Sequence, residues 1–502
     1  MRKGSVTVFF TLLFPIVLAL VFTLLETARL GGVRLKARNA GNAAVSSAMA
    51  GYNRELLDSF GLLFYDGSFN GGTVSLEDME KEFRDYFERN GESGVLAHGG
   101  TLFPVKCESV EISDLVTATD YNGSVFMRSA IDYFKYDAIG DLAEKIKSWV
   151  NSVKEADKAK SDSDAGKLQW DREEFGIETT GEGPMPRAEA VDSGEASEPF
   201  DAERFEKEAQ DSVIGQADKT KAKGWLSLVL PGDGTVSSVS MDMTDAPSAT
   251  AVDDRETDGG VVFSDIANVV LFNEYLMDHF GYFAAPNSKG GMQYEIEYLL
   301  YGKEKDSENL EKVLNRIMWI REGMNLIYIA TSNLANEAED LATGLFGWTE
   351  NPIIIALAAV AIVGAWAYGE ALLDVRGLLA GKRVAFIKNK DTWMTSLDNL
   401  GEFFKAGNLQ AKESKTGLDY KDYLRILLYL TSTSDSAYRA MDIIQLRLRE
   451  KVPNFLMSSQ VYAVEFKATV NARALFASLP IMKNMLHTAR GYRFEDYFSE
   501  VY

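Results

Sequence analysis

Between Ser5 and Leu25 the chain runs for 21 residues without a charged side chain, and the run ends at Glu26-Thr27-Ala28-Arg29. An apolar stretch of that length, rich in Leu, Val and Phe, spans a hydrocarbon core of about 30 Å when helical. Arg2 and Lys3 precede it, which biases the amino terminus toward the cytoplasm. A cleaved secretory signal has a shorter apolar core, about 7–15 residues, followed by a small-x-small site. Here the core is longer, and a cut after Ala28 would set Glu26 at a position that favours small residues. Residues 1–29 therefore read as a basic leader and a retained single-pass anchor, contacting the bilayer through Ser5–Leu25, with the body extracytoplasmic.

The 502 residues together carry 52 Lys plus Arg against 74 Asp plus Glu, a net charge of −22. That balance argues against nucleic acid, which needs concentrated cationic side chains, and against lying along an anionic membrane surface. Its ordinary effect is solubility. Cys107 is the one cysteine, so an internal disulfide cannot form.

The expected fold is α+β and helix-dominated: the long anchor helix, then a mixed extracytoplasmic domain with a disordered acidic insertion. Residues 30–160 read as a helical extension plus a small α/β region. Ala37, Ala40, Ala44 and Ala48 recur at three- and four-residue spacing, a small-residue stripe on one helix face. Such a stripe is either one side of a buried helix or a close-approach surface for another subunit. Gly71-Gly72 marks a loop, Val105–Ile112 alternates like a strand, and Asp132–Lys158 reads as an amphipathic helix. Residues 161–260 are acidic and largely poor in big aliphatics, so disorder is expected, with a short ordered piece at 225–230 before the Pro231–Gly234 turn. Residues 261–502 read as helix-rich: Asn309–Leu341, Pro352–Ala380 and Tyr420–Arg449 are long periodic segments, while Tyr294–Tyr301 and Gln460–Val470 have strand character.

Pro352–Gly369 is a second uncharged stretch, 18 residues bounded by Glu350 and Glu370. It sits at the lower limit for spanning, and its alanines dilute the larger aliphatics, so a core helix is favoured over a second span. Just beyond it, Glu370 and Asp374 fall four apart on one helical face, and Arg376 follows. This charged group reads as an interior ion-pair cluster that fixes helix register. Without a histidine, metal motif or phosphate loop beside it, it does not make an active site.

Other chemistry is not legible. His98, His279 and His487 are far apart, with no zinc-type spacing. Gly377-Leu-Leu-Ala-Gly381-Lys382-Arg383 approximates a phosphate loop but has one residue too few between the glycines and Arg383 where Ser or Thr is needed. A helix C-cap glycine before a basic turn is the ordinary reading. Asp162-Ser-Asp164-Ala-Gly166 lacks the rest of a calcium loop. No catalytic residue, metal site, cofactor or small-molecule substrate is expected.

Lys3-Gly4-Ser5, the apolar run and Glu26-x-x-Arg29 together resemble the amino terminus of TadE/TadG-like pseudopilins of tight-adherence (Flp) pilus systems. The resemblance covers about the first 60 residues, and Phe9 stands where pilin-type proteins usually carry a glutamate. It implies leader processing between Gly4 and Ser5. Over its whole length the chain resembles a family of Gram-positive, largely clostridial, membrane-anchored proteins often encoded near tight-adherence pilus genes. The matching segments are Tyr52–Leu57 with Gly61–Asp66, Glu297–Lys303 with Asn309, and Arg321-Glu322 with Asn325. Ala365–Glu370 with Asp374–Arg376, Gly381-Lys382 and Trp393, then Gly417–Leu424, complete the set. These resemblances imply a non-enzymatic, pseudopilin-like structural or assembly protein whose partners are pilus or pseudopilin subunits. The alternative is a stationary envelope protein with an exposed ligand- or protein-binding domain.

Overall fold

The computed structural model describes residues 3–92, 102–134, 139–175, 201–222, 224–230, 236–250, 266–287, 291–404, 409–479 and 491–502. α1 (Lys3–Met49) is one helix of 47 residues, about 70 Å long at the usual rise per residue, and Pro15 lies inside it without ending it. After it come α2 (Arg54–Phe60), the short strand β1 (Tyr65–Asp66), α3 (Leu76–Glu92), β2 (Lys106–Thr117) and α4 (Ser124–Tyr133). The long α5 (Ile139–Phe175) is followed by α6 (Ala202–Asp211), α7 (Val213–Ala222) and the single-turn α8 (Leu226–Val229) and α9 (Pro247–Thr250). Next are α10 (Ile266–His279), α11 (Glu295–Tyr301), α12 (Asp306–Ala330), α13 (Leu334–Phe346) and α14 (Pro352–Leu379). α15 (Leu400–Phe403), α16 (Tyr420–Leu430) and α17 (Thr433–Arg449) precede β3 (Gln460–Arg473) and β4 (Gly491–Val501). The fold is α+β and helix-dominated.

The chain divides into two units: residues 1–135, 244–264 and 437–502 form the first, and residues 136–243 and 265–436 the second. This differs from the expected division at 160 and 260, because the carboxy-terminal strands fold with the amino-terminal half. In the first unit β3 is the central strand of an antiparallel sheet. β2 pairs along one edge from Lys106↔Asn471 to Thr117↔Val461. β1 and β4 share the other edge, β1 at Gln460–Val461 and β4 at Ala463–Arg473. β3 buries alternate residues and its neighbour strands less, as expected for the middle of a half-covered sheet. α1 and α3 cover the buried face, where Phe83 stacks on Phe466 at 4.5 Å between ring centroids and Phe498 and Phe87 close around them.

The first part of α1 behaves differently. Val8, Phe9, Phe10, Leu12, Phe14, Ile16, Leu20 and Leu24 are all exposed. From Val33 onward the same helix is buried on one side. α1 and α14 are the two described helices long and apolar enough to cross a membrane; the apolar window of α1 has none of its residues buried, whereas that of α14 is half buried.

The second unit is helical. α5, α12 and α14 pack on one another, and α13 lies on α14. Gly323 marks the closest approach: a Cβ there would lie 2.2 Å from the backbone oxygen of Ala156 on α5. In an exposed helix interior Gly→Ala stabilises by about 1 kcal/mol. Here Gly323→Ala is expected to destabilise by about 1–3 kcal/mol, because the helix pair must separate; urea melts of the full chain in detergent check the sign.

Several expectations need correction. The 161–223 stretch is not uniformly disordered: α5 continues to Phe175, and α6 and α7 bury Phe205, Ala209, Ile214 and Ala217, in part against Ala338, Ala342 and Phe346 of α13. The segment is polar on average, yet those apolar residues lie on single helix faces, which is enough to dock a helix. The remainder, 176–200, lies outside the described residues, as do Pro231–Gly234, 251–260, His98 and His487. Tyr294–Tyr301 is not a strand: Glu295–Tyr301 forms a helix. A short apolar run is ambiguous by periodicity, and the turn is settled by Gly302, whose φ of +60° lets its N–H reach Tyr298 O at 2.7 Å. Asn309–Leu341 breaks at Thr331–Asn333, where the Thr331 and Ser332 hydroxyls bond back to Ile327 and Ile329 carbonyls. Tyr420–Arg449 likewise breaks between α16 and α17. β4 was not foreseen.

Candidate functional site

Arg321 projects from α12 toward α14, where Glu370 and Asp374 sit one turn apart, and Lys388 reaches in from the loop after α14. All four are buried, with side chains no more than 1% exposed. The Lys388 ammonium donates to Glu370 and Asp374, each at 2.6 Å, and to the Thr392 carbonyl at 3.2 Å. Arg321 donates from Nε and Nη2 to Asp374 Oδ2 at 2.9 and 2.8 Å. Its remaining N–H groups reach Phe386 O, the Tyr423 hydroxyl and Asn325 Oδ1. Glu370 also accepts from the backbone N–H groups of Met394 and Thr395. Two acids and two bases cancel, and each donor has an acceptor, the condition under which buried charges are tolerated.

The environment separates the two carboxyls. Burial raises Glu370, only partly offset by Lys388. Burial also acts upward on Asp374, but Arg321 and Lys388 outweigh it and hold that carboxyl below its ordinary range. The arrangement clamps α12, α14, α16 and the 386–395 loop, and Trp366 and Trp393 seal it by donating to the Thr395 side chain and carbonyl at 2.8 Å.

Glu370 and Asp374 thus stand where the sequence puts them, but Arg376 does not join them. It points the other way from the helix and donates to the carbonyls of Leu228 at 2.7 Å and Leu409 at 3.4 Å. The partners that sequence reasoning did not assign are Arg321, Asn325, Lys388 and Tyr423. The signal was present, since Arg321, Asn325 and Tyr423 lie within the segments that carry the whole-chain resemblance.

A second buried cluster lies among α11, α12 and α16. Glu297 accepts from Phe283 N at 2.9 Å and the Tyr420 hydroxyl at 2.7 Å through Oε1, while its Oε2 has no hydrogen-bond partner. Burial pushes the Glu297 carboxyl up to about 7. Asp306 accepts from Tyr294 N and Gln293 N, and Asn309 clamps the preceding turn through Lys303 and Lys305. Asp419 and Asp422 form a capping box at the start of α16.

The other singled-out residues have structural roles. Glu26 and Arg29 pair at 2.7 Å, both buried; Glu26 accepts from Phe476 N at 2.7 Å, and Arg29 donates to the carbonyls of Leu102 and Arg473. They fasten α1 to the end of β3. Ala37, Ala40 and Ala44 are buried against their own sheet and α3, and Ala48 is buried as well, which selects the buried-helix meaning of the stripe. Gly4 and Ser5 lie in the first turn of α1. Gly381 has φ +81° and ends α14, with its N–H on Leu378 O and that of Lys382 on Gly377 O, the Schellman pattern. Asp162–Gly166 is part of α5. His279 stacks on Tyr275 with ring centroids 4.3 Å apart. Burial pushes the Cys107 thiol up to about 11, away from nucleophilic chemistry.

The described residues also form concave features. α5, α12, α13 and the first half of α14 enclose an open groove of about 750 Å³, walled by alanines with Leu326, Ile327, Ile355, Val360 and Val363.

The molecule is thus a helix-dominated α+β protein with a long apolar amino-terminal helix, a saturated ion network in its helical unit and an apolar groove beside it. A family model described as a family of unknown function (DUF5702) matches residues 203–472, and the chain belongs to that family. The matched stretch begins in α6 and ends in β3, so it includes both buried clusters and leaves out α1. No curated protein and no solved structure matches the chain.

Proposed function

We propose that the chain is a membrane-anchored, non-enzymatic envelope protein, acting as a pseudopilin-like structural or assembly subunit of a tight-adherence type pilus. The observation that carries this is the divided character of α1. Its first half is apolar and bare over bilayer length, and its second half is fixed into the subunit's own sheet. Such a helix holds a subunit in the membrane and presents an apolar surface to a neighbouring copy. The amino terminus lies inside and the body outside, in a single pass. Inserting α14 would pull Glu370 and Asp374 away from Arg321 and Lys388, so α14 serves as a core helix. The large body suits a minor or initiating subunit better than a repeating one.

A stationary envelope protein is the second reading. It is favoured by the alanine stripe being occupied within its own fold and by the groove on the helical unit. The amino-terminal sequence of the mature protein separates the two: Ser5 as first residue supports the pilus pathway, an intact Met1 the static anchor. Cross-linking on membranes that recovers monomer only, together with unaltered pili in a deletion strain, would sink the first reading.

A further inference from the structure

Gly281–Asn287 forms a strap against α11, and two carboxylates of that helix hold it. Glu295 fastens both ends: it accepts from Gly281 N at 2.7 Å and from Asn287 Nδ2 at 3.1 Å. Between those ends the strap folds back on itself. Tyr282 N bonds to Ala285 O at 3.0 Å and Ala285 N to Tyr282 O at 2.8 Å, and a Cβ on Gly281 would lie 2.4 Å from Asn287 N. The middle is held by less. Phe283 N donates to Glu297 Oε1 at 2.9 Å, and the Phe283 ring lies edge-on to Tyr294 and Tyr420, at 5.4 and 6.2 Å between centroids. Ala284, Ala285 and Pro286 are exposed. Glu297 itself is fully buried, and its Oε2 has no hydrogen-bond partner.

A protonated carboxyl tolerates an unfilled oxygen in such a place, because burial chiefly penalises the charged form. Once ionised, the same oxygen needs a donor, and lifting the exposed middle of the strap brings it water. We infer that Gly281–Asn287 is a pH-operated strap: it lies closed over a protonated Glu297, and its middle lifts when that carboxyl ionises, while Glu295 keeps both ends tied. The surroundings supply no other relief. Asp306 of α12 opposes ionisation, and the Phe283 N–H and the Tyr420 hydroxyl of α16 act only on Oε1. Tyr282 and Tyr294 are the other titratable neighbours of Tyr420. Asp419 and Arg425 of α16 act on Tyr282, and Arg425 is already engaged by Glu274 of α10 and by Asp422. In the closed form burial pushes the Glu297 carboxyl up to about 7, against 4.5 for the solvated group. Closure is therefore complete below 4.5 and lost as pH rises through 7. Those two values make the opening equilibrium grow about ten-fold between pH 6 and pH 8.

The test is hydrogen exchange of the full chain in detergent, read residue by residue by electron-transfer fragmentation, with each rate corrected for the intrinsic pH dependence of exchange. The Phe283 amide is expected to lose about ten-fold in protection from pH 6 to pH 8. Its exchange should also be insensitive to urea below the unfolding transition, since a lifted strap exposes little surface, whereas amides in the middle of α12 should respond to urea. Glu297→Gln cannot ionise, so protection at Phe283 should be the same at both pH values. Tyr420→Phe removes a donor to the ionised carboxylate and should move the wild-type step to higher pH; it keeps the test decisive should Glu297→Gln melt early. Protection at Phe283 that does not change with pH in the wild type overturns the strap, as does an equal loss in the wild type and Glu297→Gln. A Phe283 amide that shares the urea dependence of α12 also overturns it, because exchange then runs through unfolding of the whole unit.

Discussion

Asp374→Ala is expected to destabilise the helical unit by about 3–5 kcal/mol, the cost of leaving buried charge without its partner. Asp374 accepts from Arg321, Lys388 and Asn325 at once, so its removal leaves two cations facing Glu370 alone in a buried site. The double replacement Arg321→Met with Asp374→Leu should cost less than the single one. It removes one base and one acid together and leaves the Lys388–Glu370 pair intact. Residues in one network couple by about 0.5–3 kcal/mol, which is the size of the recovery expected. Urea unfolding followed by tryptophan fluorescence measures both, because Trp366 and Trp393 lie edge to face at 5.8 Å beside the network. A single-variant loss below about 1 kcal/mol would be the value of a solvated surface pair and would refute the buried clamp.

The sequence makes part of this clamp visible, and the reason is distance along the chain. Glu370 and Asp374 are one helical turn apart, so helix periodicity alone puts them on one face. Arg321 lies 53 residues before Asp374, and no local rule joins them. Arg376, two residues on from Asp374, is rotated by more than half a turn of helix and faces another segment, which is why nearness in sequence misplaced it. The same contrast runs through the fold. The uncharged run of α1 and the strand β3 follow from local pattern. The pairing of Lys106 with Asn471, which makes the sheet and divides the chain into units, depends on tertiary packing. Composition misled at 161–222 because it averages over faces: Phe205 and Ala209 are one turn apart and buried, while most residues around them are solvated.

Glu297 makes stability depend on pH. In the unfolded chain its carboxyl ionises near 4.5, and in the fold burial pushes it up to about 7. Between those values the folded state holds one proton more than the unfolded state, so stability falls as pH rises. A shift of that size corresponds to about 3 kcal/mol, fully present below the unfolded value and lost as pH climbs through 7. The groups around the carboxyl act in both directions. The Phe283 N–H and the Tyr420 hydroxyl favour the ionised form and Asp306 opposes it, but burial is the largest influence, and Oε2 has no donor of its own. Glu297→Gln keeps the shape and cannot ionise. The variant should match the wild type near pH 4.5 and exceed it by about 3 kcal/mol at pH 8. Glu26 and Asp374, whose carboxyls are held below their ordinary values, work oppositely, losing stability as pH falls. They contribute equally to both proteins, so the difference between wild type and variant isolates Glu297. Parallel pH profiles for the two would mean that the carboxyl is already ionised within the fold, and that a water or cation reaches Oε2.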